Sequence, residues 1–212
     1  MNYFSKLTFC LNALAFVLIA SLSVSAQQFA SRASRASTLP LMSTISTLYS
    51  NDPIAHTLCF TDGQAGGIMD KEGVFNRCSH IDFDIYKAGN LTVAIEGGEI
   101  GRIVDLGTPD ELSKQYGYRE ILGKGQGFAS IEFSEGKVLI LKDRYKSDRQ
   151  ELSQAAQLFE KGDSNASAEA RAGHIYLARI TDKHKQDFQI LVKLLVLSVR
   201  PGESVTFRWQ LL

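Results

Sequence analysis

The stretch FQILVKLLVLSVRPGESVTFRWQLL, residues 188–212, decides the fold prediction. Its first half is apolar on both faces of an extended chain, which predicts a central strand covered on both sides. Residues 200–203, Arg-Pro-Gly-Glu, are a turn signal. From Val205 to Leu211, apolar and polar residues alternate as in a half-buried strand. Because the turn is too short for a parallel crossover, we predict an antiparallel hairpin.

Similar alternation recurs upstream at intervals of about ten residues, separated by turn signals rich in glycine. It predicts further short strands at 80–86, 91–96, 100–106, 128–133, 137–141 and 174–181. Alternating strand and helix units are not apparent. We therefore predict a mainly β protein, a single antiparallel β-sandwich or jelly-roll-like domain with one or two short helices.

Two segments carry helix signals. Residues 108–111, Thr-Pro-Asp-Glu, match a capping box with proline at the first helical position, which predicts a short helix ending near Gly117. Residues 147–161 place apolar side chains at i, i+3, i+4 and i+7, which predicts a second amphipathic helix. Its apolar stripe consists of Leu152, Ala155, Ala156 and Phe159.

The N-terminus has the layout of a cleavable signal peptide over residues 1–26. Lys6 precedes an apolar run over residues 7–24, and Val24-Ser25-Ala26 ends in small residues. We predict a flexible Ser/Thr/Ala-rich leader at 27–50 and the β-rich domain at 51–212. The protein is then secreted, extracellular or periplasmic, and keeps no transmembrane anchor after cleavage. The alternative is an uncleaved membrane anchor, for which the apolar run is marginal.

Cysteine usage agrees with export. Cys59 and Cys78 remain after signal removal and predict one intramolecular disulfide, with two reduced buried thiols as the alternative. The chain has 23 basic and 23 acidic residues, so no global positive field suggests nucleic-acid binding. Asn90 and Asn165 match the N-glycosylation pattern, which matters only if the source is eukaryotic.

One candidate site lies on a predicted strand, where His80, Asp82 and Asp84 occupy alternate positions. Alternate side chains of a strand point to one side, so these three groups could bind a divalent metal or perform acid–base chemistry. The alternative is the solvated polar face of a sheet. Apart from this metal, the sequence indicates no cofactor.

Further candidates lie in loops. The glycine-rich segment between the two cysteines could contact a ligand through its backbone, with calcium as one option. Its candidate ligand-binding residues are Asp62, Gly63, Gln64 and Asp70. Glu96, Glu99 and Asp105 could include a glycosidase carboxylate pair. Residues 123–127 are glycine-rich but lack the spacing of a phosphate-binding loop.

These features favour an exported, non-catalytic β-domain that binds an extracellular ligand or protein partner, such as a glycan or an envelope component. That inference depends on export, on the β pattern and on the absence of a recognised catalytic motif, and such a fold hosts many functions. The alternative is a secreted hydrolase or metal-dependent enzyme that uses His80, Asp82 and Asp84.

Overall fold

A computed structural model describes residues 43–69, 72–74, 76, 78–85, 87–95, 98–117, 128–142, 148–160 and 165–212. The predicted signal peptide, Asp70, Glu96 and the segment 123–127 lie outside these residues. The described chain contains thirteen strands, one α-helix and one 3₁₀ helix. The strands are β1 (Thr44–Tyr49), β2 (Thr57–Leu58), β3 (Ala65–Gly66), β4 (Ile81–Phe83), β5 (Asn90–Val93), β6 (Glu99–Gly107), β7 (Ile131–Ser134), β8 (Lys137–Leu141), β9 (Arg149–Glu151), β10 (Ser167–Glu169), β11 (Ile175–Asp182), β12 (Gln189–Arg200) and β13 (Ser204–Leu211).

The first sheet is built around the C-terminal hairpin. Its strand order is β1-β13-β12-β11-β6, and every neighbouring pair is antiparallel. The β12–β13 hairpin confirms the prediction made from residues 188–212. Strand β1 falls within the segment that we assigned to the leader, and it pairs with β13 over six residues. The β-rich domain therefore includes residues before position 51.

A second sheet, ordered β10-β5-β4-β2-β3, packs with the first. Apolar side chains of both sheets form one core cluster, in which Phe83 of β4 and Phe207 of β13 are fully buried. The predicted hairpin between the strands near 80–86 and 91–96 is present as β4 and β5. This arrangement confirms the predicted mainly β, antiparallel, sandwich-like class.

The opposite face of the first sheet carries a second core. A three-stranded sheet, β7-β8-β9, contributes to it together with both helices. On β12, Val192 and Leu194 belong to the first core, whereas Leu191 and Leu195 belong to the second. The prediction that this strand is covered on both faces is therefore confirmed. Among the described residues, no helix combines the length and apolar character that a membrane crossing requires.

The two helix predictions have different outcomes. Helix α1 (Pro109–Tyr116) begins at Thr108 with a complete capping box and ends at Gly117 in the left-handed conformation, as predicted. The predicted helix at 147–161 is wrong, because the chain forms β9 and then a 3₁₀ helix (Ser153–Phe159). The buried side chains there are Leu152, Ala155 and Leu158. Their spacing of three residues matches the repeat of a 3₁₀ helix, whereas the prediction had considered only the 3.6-residue repeat of an α-helix.

Candidate functional site

Cys59 and Cys78 are joined near the second sheet. Cys59 directly follows β2, Cys78 precedes β4, and their Cα atoms lie 4.9 Å apart in the disulfide. This confirms the predicted pairing. The bond closes a loop with a sequence separation of 19 residues. It therefore constrains the whole segment that connects the two neighbouring strands.

His80 is a buried polar residue. Its Nδ1 accepts a hydrogen bond of 3.0 Å from the backbone N–H of Phe60, so we assign the ring proton to Nε2. Nε2 lies 3.8 Å from Sγ of Cys78 and 3.8 Å from Oε1 of Glu99. Burial lowers the pKa of His80 to about 4, against an opposing effect of Asp62. The imidazole is therefore neutral at physiological pH.

Asp82 faces away from the first core, because its neighbours Ile81 and Phe83 on the strand are core residues. Its side chain is 0 % exposed, and Oδ2 lies 2.5 Å from Nδ1 of His56. The other oxygen, Oδ1, has no hydrogen-bond partner in the structure's described part. Burial raises the pKa of Asp82 to about 6, against the lowering effect of the His56 hydrogen bond.

Asp84 lies just beyond the end of β4 and has a left-handed backbone, with φ at 65°. Its Oδ2 accepts a bond of 2.7 Å from the Ser50 hydroxyl, and its Oδ1 accepts one of 2.7 Å from the Gly89 amide. The carboxylate is almost fully buried. These bonds fix the end of β4 to two neighbouring loops.

The structure does not bring His80, Asp82 and Asp84 together as one donor set. Strand β4 covers only residues 81–83, so strict alternation does not extend to His80 and Asp84. All three residues are buried, which rules out the solvated sheet face that we considered as the alternative. In the described ranges, the only three potential metal ligands whose donor atoms lie within 4.8 Å of one another are Cys59, Cys78 and His80. Both sulfurs of that group are already in the disulfide.

The predicted ligand loop is compact in the described part. Oδ1 of Asp62 accepts a bond of 2.9 Å from the Gln64 amide, and Gly63 has a positive φ of 76°. A side-chain carbon at Gly63 would lie 3.5 Å from the Trp209 ring. Trp209 is itself a core residue, so this end of the loop packs against the first sheet. A ligand role for Asp62, Gly63 and Gln64 stays a prediction.

Glu99 and Asp105 cannot form a glycosidase pair. They lie six residues apart on the same strand, β6, which separates their Cα atoms by about 20 Å at the rise of a β-strand. Catalytic carboxyl groups of glycosidases are typically about 5 to 10 Å apart. Asp105 is instead bonded to Nδ1 of His174, with 3.0 Å to each carboxylate oxygen.

The candidate binding site is a cleft of about 600 Å³ at the end of β4. Asn51, Asp84 and Lys87 line it, together with Glu169 at the end of β10. The first three have φ values of 60°, 65° and 56°, and they are three of only five non-glycine residues with positive φ in the described ranges. The apolar part of the wall includes Val199 and Pro201. We name this feature the β4-end cleft.

Sequence reasoning found Asp84 but missed the other cleft residues and His56. His56 lies 26 residues before Asp82, and nothing in its local sequence indicates the contact. Asn51 and Lys87 lie next to residues that are typical of turns. No local pattern predicts that the loops carrying Asn51, Lys87 and Glu169 line one cleft. These residues could be found only from contacts between distant segments of the chain, and a single sequence does not show such contacts.

In comparisons with known proteins, no protein family, no curated protein and no solved structure matches this chain. The class of protein is therefore defined by its own fold and site: a disulfide-linked, antiparallel β-sandwich with a cleft of mixed polar and apolar lining at one strand end.

Proposed function

We propose that the protein is an exported, non-catalytic β-domain that binds an extracellular ligand in the β4-end cleft. The observation that carries the proposal is the concentration of left-handed, non-glycine residues around the cleft. Residues such as Asp84 and Lys87 adopt this conformation at a cost of about 1 to 3 kcal/mol each, and such strained positions cluster at ligand-binding sites.

The hydrogen bonds of Asp84 explain how the cleft keeps its shape. A buried carboxylate that accepts one hydroxyl and one amide bond ties the loop after β1 to the loop before β5. Charge-assisted bonds of this kind are stronger than neutral ones. The cleft is thus preorganised, and less of the binding free energy is spent on ordering its walls.

The lining favours a small, hydroxyl-rich ligand. Lys87 supplies a positive charge at an exposed position, and Asn51 supplies an amide that can both donate and accept. Glu169 supplies an exposed carboxylate whose Oε2 is paired with Arg171. The apolar part of the lining comes from small side chains, among them Ala88, Val199 and Pro201. Sugars, which present hydroxyls and short apolar faces, fit this mixture, so we propose a glycan or another envelope component as the ligand.

Export is supported by two features. The apolar run and small-residue site at residues 1–26 match a signal peptide, and Cys59 and Cys78 form a disulfide of the kind that persists in oxidising compartments. We propose on this basis that the mature domain works in the periplasm or outside the cell.

The experiment is a binding screen of the mature protein on an array of oligosaccharides and soluble peptidoglycan fragments. Each retained ligand is then titrated by calorimetry against Lys87→Ala and Glu169→Ala. We expect each substitution to weaken binding about tenfold, the effect of losing one or two hydrogen bonds to a charged group. The matched controls are Lys114→Ala and Glu151→Ala, at exposed positions on α1 and β9. Equal losses in controls and cleft variants would contradict the proposal.

A secreted hydrolase is the second candidate, and one observation favours it. A histidine whose Nδ1 meets a buried carboxylate, as His56 meets Asp82, resembles the base and orienting group of many hydrolases. We place it second because His56 is not among the residues that line the cleft. Turnover of activated esters by the mature protein, abolished in His56→Asn, would promote this candidate above ligand binding.

A further inference from the structure

Two arginines, Arg102 on β6 and Arg179 on β11, lie directly opposite each other in the first sheet. Their strand neighbours Ile103 and Ile180 belong to the first core, so both arginine side chains point to the other face of the sheet. Directly opposite side chains of an antiparallel pair have Cβ atoms about 5 Å apart, and like charges placed there destabilise the sheet. Both arginines are partly exposed on this face.

The guanidinium of Arg179 is held in one position. Its Nε donates a bond of 3.0 Å to Oε1 of Gln189, and its Nη1 donates one of 3.3 Å to the Leu158 carbonyl. The same group lies over the Phe159 ring, 5.0 Å from the ring centroid. Within the described chain, Nη2 donates to no other group. Because the side chain is already fixed, little conformational freedom is lost when an acceptor binds to Nη2.

The charge of Arg179 has no acidic partner in the described ranges. Burial lowers the pKa of this guanidinium, and the positive charge of Arg102 lowers it further. Both effects disfavour the charged form, yet an arginine keeps its proton at any physiological pH. An anion bound between the two arginines would be attracted by both charges and would offset their mutual repulsion.

We propose that Arg102 and Arg179 form a binding site for an oxyanion, namely a carboxylate or phosphate group carried by an organic ligand. Guanidinium groups bind both kinds of oxyanion through paired, charge-assisted hydrogen bonds. The site is separate from the β4-end cleft, whose lining includes neither arginine. The inference therefore does not depend on the proposed function of that cleft.

The neighbouring exposed side chains indicate what the oxyanion is attached to. Ile100 lies two residues before Arg102 on β6, hence on the same face, and is 37 % exposed. Phe159, which contacts Arg179, is 38 % exposed and stacks with Phe133 at 6.4 Å between ring centroids. These apolar groups can contact a ring or a short hydrocarbon body next to the charge. We therefore expect aryl phosphates and aryl carboxylates to bind more tightly than inorganic phosphate.

The test follows the arginine Nε–H signals in nitrogen–proton NMR spectra of the mature protein. Inorganic phosphate, phenyl phosphate and benzoate are titrated in separate experiments at constant ionic strength. We expect saturable shift changes at the Arg179 signal, with phenyl phosphate binding about tenfold more tightly than inorganic phosphate because its ring buries apolar surface. The comparison of phenyl phosphate with benzoate shows whether the natural oxyanion is a phosphate or a carboxylate.

Three substitutions test the two arginines. Arg102→Gln and Arg179→Gln each remove one charge, and each should weaken the binding of phenyl phosphate about tenfold. Arg179→Lys keeps the charge but loses the forked donor, so it should not restore the wild-type affinity. Arg200→Gln, at the exposed end of β12, is the matched control and should bind like the wild type. If Arg179→Gln does not fold, Arg102→Gln and Arg179→Lys still test the site.

Two results would overturn the site. One is the absence of saturable shift changes at Arg179 with all three probes. The other is an equal affinity for phenyl phosphate in the wild type, Arg102→Gln and Arg179→Gln, because binding would then take place elsewhere. If inorganic phosphate binds as tightly as phenyl phosphate, the organic part of the proposal is wrong, since Ile100 and Phe159 then contribute no contact.

Discussion

The buried environment of His80 makes a quantitative prediction for how the free energy of unfolding changes in acid. The ring is buried, accepts a backbone bond at Nδ1 and has a pKa of about 4 in place of 6.5. Between these two pH values the unfolded chain binds a proton that the folded protein does not bind. Folding stability therefore falls as the pH drops below 6.5 and reaches its full loss below pH 4.

The size of the effect follows from the shift. A difference of 2.5 pKa units corresponds to a loss of about 3 kcal/mol when both states are fully titrated, and to about 2 kcal/mol between pH 7 and pH 4.5. Asp82 acts in the opposite direction, because its raised pKa favours the folded state as the pH falls from 6 toward 3.8. The loss of stability measured for the wild type on acidification is therefore smaller than the loss caused by His80 alone.

The assay is urea unfolding of the wild type and His80→Asn at pH 7 and pH 4.5. Asparagine offers an oxygen to the Phe60 amide but does not titrate, so the variant should lose about 2 kcal/mol less than the wild type on acidification. His184→Asn, at an exposed position, is the matched control and should follow the wild type. An identical pH dependence in the wild type and His80→Asn would refute the assignment of a neutral, buried His80.

Three further predictions concern stability. Replacing both Cys59 and Cys78 by serine should lower the free energy of unfolding by about 3 kcal/mol, and a reducing agent should then have no further effect in thermal unfolding. Thr108→Ala should cost about 1 kcal/mol by removing the capping box of α1, whereas Thr108→Ser should retain most of that stability in the same urea assay. Lys193 is buried, donates to the Ile131 carbonyl, and has a pKa lowered to about 8 by burial, so the stability of the wild type should rise from pH 8 to pH 10. The variant Lys193→Met should lack this rise. An equal rise in Lys193→Met would contradict the lowered pKa of Lys193.

Local patterns predict the parts of this fold in which neighbouring residues determine the structure. The β12–β13 hairpin follows from alternation around a four-residue turn, and α1 follows from a capping box that lies within four consecutive residues. The α-helix predicted at 147–161 was wrong because the spacing of its apolar residues fits both a period of 3.6 and a period of 3. Tertiary packing of Leu158 against the second core selects the tighter helix.

The site was less predictable for a physical reason. His80, Asp82 and Asp84 are regularly spaced, but the brevity of β4 and the left-handed backbone at Asp84 send them to separate partners. His56 and Asn51 reach the site through contacts between distant segments of the chain. Such contacts leave no periodic trace in a single sequence.

The most direct test of ligand binding in the β4-end cleft is a two-dimensional NMR titration of the mature protein with soluble peptidoglycan fragments. We predict that the largest shift changes fall on the amides of Asn51, Lys87, Gly89 and Glu169, with little change in β7 to β9. Shift changes confined to the three-stranded sheet, or spread evenly over the surface, would contradict the proposed site.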